Sequence, residues 1–192
     1  FYLKTLEYHP FYVNALNNLG LIYRDMEWFE LAEELFSKAL RLNYYKSFLH
    51  NNLGTVYEAL GKLQTAKKEF TIAVYINNKY VEGFMNLSNT EHYLGEFENS
   101  LMHIDKAIEL APQNAEAHFN KSLLLLRMGY LKEGFIEYEW RMMRSDYPIW
   151  EFSKPLLTNL VDLYGKTLLI YDEQGFGDTL QFGRYIERIK KY

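Results

Sequence analysis

Asn18, Asn52, Asn86 and Asn120 stand 34 residues apart along the chain. Leu19, Leu53 and Leu87 follow at the same interval, and so do Gly20, Gly54, Ser88 and Ser122. A strict period of this length is the mark of a helical repeat array, and it leaves little room for any other fold. The asparagines carry a second message. A core position accepts many apolar residues, but nothing in core packing asks for an amide at one register in every repeat.

Each period reads as two helices. In the second, Leu53, Tyr57 and Leu60 fall at i, i+4, i+7 on one face of a first helix. Gly61 breaks the chain, and Leu63, Ala66, Phe70, Ala73 and Ile76 mark the buried face of a second helix. The small residue at Ala66 recurs as Ala32, Ser100 and Gly134 and lets paired helices approach closely. Phe36, Phe70, Ile104 and Tyr138 fill the space one turn on. Turn glycines recur as Gly61, Gly95 and Gly129. Pro112 stops the third repeat and Pro10 holds the equivalent register, so the first residues read as the end of an earlier, truncated repeat.

This pattern resembles the tetratricopeptide repeat. The first two repeats carry it well: Leu16, Leu19-Gly20, Tyr23, Ala32, Phe36 and Ala39, then Leu53-Gly54, Tyr57, Ala66, Phe70 and Ala73. The third departs at Glu91, where tyrosine is expected, and the fourth at Lys121 and Arg141, as a terminal repeat often does. The resemblance covers roughly residues 1–144. It implies an all-α, right-handed superhelix of helix hairpins, with a remnant at 1–11 and four repeats at 12–144. In such arrays the first helices line the concave face.

Position 6 of the repeat is the asparagine register, and positions 2, 6, 9 and 13 share a stripe by helical geometry. The four asparagines should therefore form a ladder in the groove, with Asn17 and Asn51 beside it in the repeated Asn-Asn-Leu-Gly string. A primary amide both donates and accepts, so it can pair with a peptide backbone whatever the peptide's sequence. The repeat region of O-linked N-acetylglucosamine transferases has a similar ladder, and that likeness implies a polypeptide segment or partner protein in the concave groove. The alternative is that each asparagine bridges adjacent helices; the two roles are compatible. A net hydrogen bond is worth about 1 kcal/mol, so four reach only about millimolar affinity. A chaperone-tail adaptor would need several lysines and arginines on this face to clamp a carboxylate. Arg24 and Arg127 are the only bases the registers place there.

Composition excludes other classes. At 48% hydrophobic the chain is a folded array rather than a disordered tail. The net charge of −4 argues against a nucleic-acid binder, which needs a basic face. There is no cysteine, so no disulfide or thiolate site, which suits a reducing, cytoplasmic location. No apolar run reaches the ~18 residues of a membrane span. The first residue is Phe1 rather than Met, so the natural beginning reads as missing. His50 and His118 fall at position 4, a packed register, as core residues with one hydrogen-bond partner each. His9, His92 and His103 lack ligand spacing, and no metal site is indicated.

After residue 144 the period ends. Pro148 and Pro155 break the helical pattern over a linker at 145–164, while Trp140 and Trp150 offer surfaces for docking. The run Lys166–Tyr171 reads as a buried strand, Asp172–Asp178 as a loop and the chain from Thr179 as a helix. Strand, glycine loop and helix open a doubly wound α/β domain. The longer string, Glu137–Arg141 followed by Gly165–Ile170 and Glu173–Ile186, resembles bacterial proteins that join tetratricopeptide repeats to a heptosyltransferase-type glycosyltransferase of GT-B architecture. That resemblance implies that 165–192 is the first strand and helix of an incomplete Rossmann-like domain. It implies that Gly175 and Gly177 shape an acceptor loop, that Asp178 is the base deprotonating the attacking hydroxyl, and that a nucleotide sugar is the donor. Asp178 also fits an N-cap, with Gln181 three residues on completing a capping-box-like pair.

The reading is a polypeptide-binding module of a glycosyltransferase, without cofactor and inactive as this stretch alone. A pure scaffold for protein assembly is the alternative.

Overall fold

The computed structural model describes residues 1–145. These form α1 (Tyr2–Tyr8), α2 (Val13–Asp25), α3 (Phe29–Leu42), α4 (Ser47–Ala59), α5 (Leu63–Ile76), α6 (Val81–Tyr93), α7 (Phe97–Leu110), α8 (Ala115–Arg127) and α9 (Leu131–Tyr138). A 3-10 turn, Glu139–Met143, follows. First helices α2, α4, α6 and α8 begin at 34-residue steps, and so do second helices α3, α5, α7 and α9. Each first helix packs on its own second helix, and each second helix on the next first helix. α1 stands in the place of a preceding second helix. The linker at 145–164 beyond its first residue, the strand Lys166–Tyr171, Gly175, Gly177, Asp178 and the following helix lie outside the described residues.

The hairpin turns share one construction. The backbone N–H of Trp28, Lys62, Glu96 and Tyr130 reaches back to the carbonyl of Tyr23, Tyr57, Glu91 and Leu125 at 2.8–3.0 Å. This six-to-one closure needs the intervening residue in the left-handed region. Gly61, Gly95 and Gly129 supply it at φ 71°, 79° and 87°. In the first repeat Glu27 takes the same conformation at φ 62°.

Helix approach is set by the small register of the first helix. A Cβ on Gly20 would lie 2.8 Å from the Phe36 ring, and one on Gly54 2.6 Å from the Phe70 ring. Both rings are fully buried. In the third repeat Ser88 takes the glycine register and Ile104 the ring register. Its hydroxyl and that of Ser100 then donate reciprocally to each other's backbone carbonyls at 2.8 Å.

Candidate functional site: the amide ladder on the first helices

The ladder asparagines link one repeat to the next. Asn52 Nδ2 on α4 donates to Asn17 Oδ1 on α2 at 2.8 Å. Asn86 Nδ2 on α6 donates to Asn51 Oδ1 on α4 at 2.9 Å. Asn18 donates to the Tyr2 hydroxyl on α1 at 3.2 Å and accepts from Asn17. Position 6 of one repeat therefore bonds position 5 of the repeat before it. The run stops at Asn120, whose acceptor register is held by Met85. Among the described residues Asn120 has no hydrogen-bond partner, and its side chain is half-buried.

These bonds use one donor of each amide. Asn52 and Asn86 each retain a second N–H and the Oδ1 oxygen. Among the described residues no buried side-chain polar atom lacks a partner, so the unbonded Oδ1 atoms of Asn52 and Asn86 reach the surface. Asn52 is otherwise enclosed, at 9% exposure. The cross-repeat bond fixes each amide in orientation, and the oxygen that remains can accept from a ligand N–H.

A hydrogen-bonded chain runs along the α4–α6 seam. Asn51 Nδ2 donates to Glu82 Oε1 at 3.3 Å and Asn51 Oδ1 accepts from Asn86. The Thr90 hydroxyl faces both the Asn86 carbonyl at 2.9 Å and Glu58 Oε1 at 3.1 Å. One hydroxyl proton cannot serve both acceptors at once. Burial pushes the Glu58 carboxyl above its usual range against the opposing effect of Thr90. At the other end of the seam, burial and then the Glu82 charge push the Tyr80 hydroxyl well up.

Polar pairs elsewhere bind helices together. His50 is 2% exposed, with Nδ1 2.7 Å from Glu69 Oε2 and Nε2 2.9 Å from the Tyr44 carbonyl. His118 repeats the arrangement with Glu137 at 2.5 Å and the Pro112 carbonyl at 3.1 Å. Each ring thus has two partners, not the single one expected, because the inter-repeat turn brings a carbonyl to its far nitrogen. In the third repeat Phe84 holds the His50 register, and His103, at the Glu69 register, meets Glu91 at 2.7 Å instead. Trp140, expected to offer a docking surface, lies flat on His118 at 3.9 Å. Arg144 also joins the first-helix face, 3.2 Å from Glu116 and over the Phe119 ring. The repeat register missed it because it follows the last hairpin.

Lys121 departs from the repeat pattern for a visible reason. Burial works against its ammonium, yet Asp105 at 2.8 Å and Glu137 at 3.6 Å outweigh this and hold it above the ordinary lysine range. Among the described residues no cluster of three metal-ligating side chains forms, and no helix is long and apolar enough to cross a membrane.

The tetratricopeptide repeat profile matches residues 13–45, 49–80 and 81–114, together half of the chain. Solved structures share the fold. MamA is similar at 22% identity over 72% of this chain and 81% of its own, with a TM-score of 0.66. YrrB, a TPR protein with an unusual peptide-binding site, is similar at 22% identity over 74% of this chain and 73% of its own, TM-score 0.62. The first TPR of Spaghetti, bound to the HSP90 peptide SRMEEVD, is similar at 20% identity over 61% of this chain and 93% of its own, TM-score 0.59. No curated protein matches by sequence.

Proposed function

This chain belongs to the tetratricopeptide repeat family, and from that premise we propose that its first-helix face holds an extended polypeptide through the amides of Asn18, Asn52, Asn86 and Asn120. Asn17 and Asn51 act as the braces that aim them. The observation that carries this reading is the division of labour within each amide. Asn52 and Asn86 spend one N–H on the preceding repeat and keep a surface oxygen. Peptide binding by the similar folds of YrrB and Spaghetti supports the reading without identifying the ligand.

Magnitude places a limit on the ladder. Each hydrogen bond contributes about 1 kcal/mol net. Backbone pairing alone therefore gives weak capture, and side-chain contacts or tethering of the partner supply the rest. The test is Asn52→Ala with Asn86→Ala. Peptide capture should weaken by about 1–3 kcal/mol. The braces complicate a stability reading, so Asn17→Ala with Asn51→Ala serves as the comparison: it removes the cross-repeat bonds but leaves the ladder amides. Equal loss of capture and of melting temperature in both variants would favour a purely bridging role. That scaffold reading has its own support in the two cross-repeat bonds.

The larger assignment is that the array serves a glycosyltransferase in the cytoplasm, presenting a polypeptide acceptor to a nucleotide-sugar-dependent domain. It rests on the resemblance of residues 137–190 to heptosyltransferase-type proteins. There Gly175 and Gly177 would open the backbone beside the acceptor, and Asp178 would take the hydroxyl proton. Asp178→Asn in a protein carrying the whole domain separates base from cap, since Asn caps helices about as well as Asp. A fall in turnover of roughly 100-fold with unchanged melting supports the base. Near-normal turnover leaves only the cap.

A further inference from the structure

Two carboxylates border the ladder at its centre. Glu82 stands at the start of α6 and is exposed; its contacts are the Asn51 amide and the Tyr80 hydroxyl at 3.4 Å. Glu58 stands near the end of α4, half-buried against Thr90. Among the described residues neither has an ion-pair partner. The cations on this face are engaged elsewhere. Arg24 pairs with Asp25 at 2.9 Å, Arg144 with Glu116 at 3.2 Å, and Arg127 lies over the Phe97 ring. Charge along the α4–α6 seam is therefore negative and uncompensated, at the place where the cross-repeat amides present their free oxygens.

Glu82 and Thr90, the contact of Glu58, are eight residues apart on α6, about 12 Å of helix rise. An extended segment covers that length in roughly four residues. One short peptide can thus lie within reach of both carboxylates while its backbone faces Asn52 and Asn86.

We propose that the α4–α6 seam selects an extended polypeptide carrying lysine or arginine, whose cationic side chains pair with Glu58 and Glu82 while the asparagines hold its backbone. This rests on the ladder reading above and adds the sign of the partner's charge. An acidic tail such as SRMEEVD, the peptide held by Spaghetti, would meet two carboxylates here.

The test uses three nine-residue peptides of alternating serine and X, with X lysine, glutamine or glutamate, and fluorescence anisotropy on the whole chain. The lysine peptide should bind roughly tenfold tighter than the glutamine peptide at low salt, one exposed and one half-buried ion pair together being worth about that factor. The preference should shrink at high salt and in Glu58→Gln with Glu82→Gln, whose melting should remain near that of the parent. Equal binding of the lysine and glutamine peptides, both weakened by Asn52→Ala with Asn86→Ala, would overturn the charge selection and leave the ladder standing. Binding of none of the three would overturn both. Tightest binding of the glutamate peptide would reverse the proposal outright.

Discussion

Lys67 Nζ lies 3.8 Å from Glu91 Oε1, and the same ammonium contacts Glu96. One repeat earlier, these three registers hold Glu33, Tyr57 and Lys62. There the Tyr57 hydroxyl donates to Glu33 at 3.1 Å and Lys62 pairs with Glu33 at 3.5 Å. The seam between α3 and α4 is therefore an acid receiving a phenol and a base, and the seam between α5 and α6 is a base receiving two acids. One repeat further on the registers hold Leu101, Leu125 and Tyr130. Packing of α3 against α6 by a one-repeat slip would bring Glu33 to Glu91 and Glu96 with no cation among the three.

Lys67→Met tests the energetics of that seam. Glu91 is 2% exposed and would keep only His103 as a partner. Removing one side of a buried pair costs about 3–5 kcal/mol, and since Lys67 is a quarter exposed the expected loss is about 1–3 kcal/mol. Lys67→Leu combined with Glu91→Leu, which copies the chemistry of the next seam, should recover most of it. Urea unfolding of the single and double variants checks both; a double variant no more stable than the single would refute the pairing account.

Glu27 invites a stabilising substitution. Its φ of 62° places an L side chain in the region that glycine occupies in the other three turns, at a cost of about 1–2 kcal/mol. Glycine gives back part of that through a more flexible unfolded chain. Glu27→Gly should therefore gain about 0.5–1 kcal/mol. The reciprocal Gly61→Ala, where a Cβ would meet nothing within 4 Å, should lose a similar amount through backbone strain alone. Thermal melting of both variants decides.

The 34-residue period shows much of this in the sequence. It marks hairpin boundaries, turn glycines and the small-residue approach, because each is a backbone requirement repeated at one register. It does not show which side chain bonds which. The Asn52–Asn17 bond spans 35 residues, one more than the period, because it joins neighbouring positions on stacked helices. Reading each register as a column conceals a pairing that runs diagonally. Glu91 likewise reads as a departure from tyrosine until Lys67 and His103 are brought to it by the fold. Trp140 and Arg144 follow the last hairpin, where no period remains to place them.

Helix approach gives a further outcome. A Cβ on Gly54 would fall 2.6 Å from the Phe70 ring, which is fully buried and cannot turn away. Gly54→Ala should cost about 1–3 kcal/mol by overpacking. Phe70→Ile, which brings the ring register to the isoleucine found with Ser88 in the third repeat, leaves space in the parent and should itself destabilise. Combined with Gly54→Ala it should be less harmful than the sum of the two, and a double-mutant cycle measures that coupling. Simple additivity would show that the ring does not set the approach.

His92 lies near the end of α6, where the helix dipole favours a cation. Burial first, then the charge of Arg127, nonetheless lower its pKa below the ordinary histidine value. The sign follows from proton counting: as pH falls through about 6.5, unfolded chains take up a proton that folded His92 resists. Folded stability therefore declines with acidification across the window between 6.5 and the lowered folded value. Glu58 acts in the opposite sense. Its raised pKa lets the folded state bind a proton more readily than the unfolded one, so its protonation favours the fold as pH falls. Burial sets both shifts, because it penalises whichever form is charged. Urea unfolding of the parent and of His92→Gln at about pH 7 and about pH 5.5 isolates the histidine, since His50, His103 and His118 are common to both chains and cancel in the difference. The variant should lose less stability on acidification than the parent. Equal losses would show that His92 titrates alike in folded and unfolded chains, and the burial argument for it would fall.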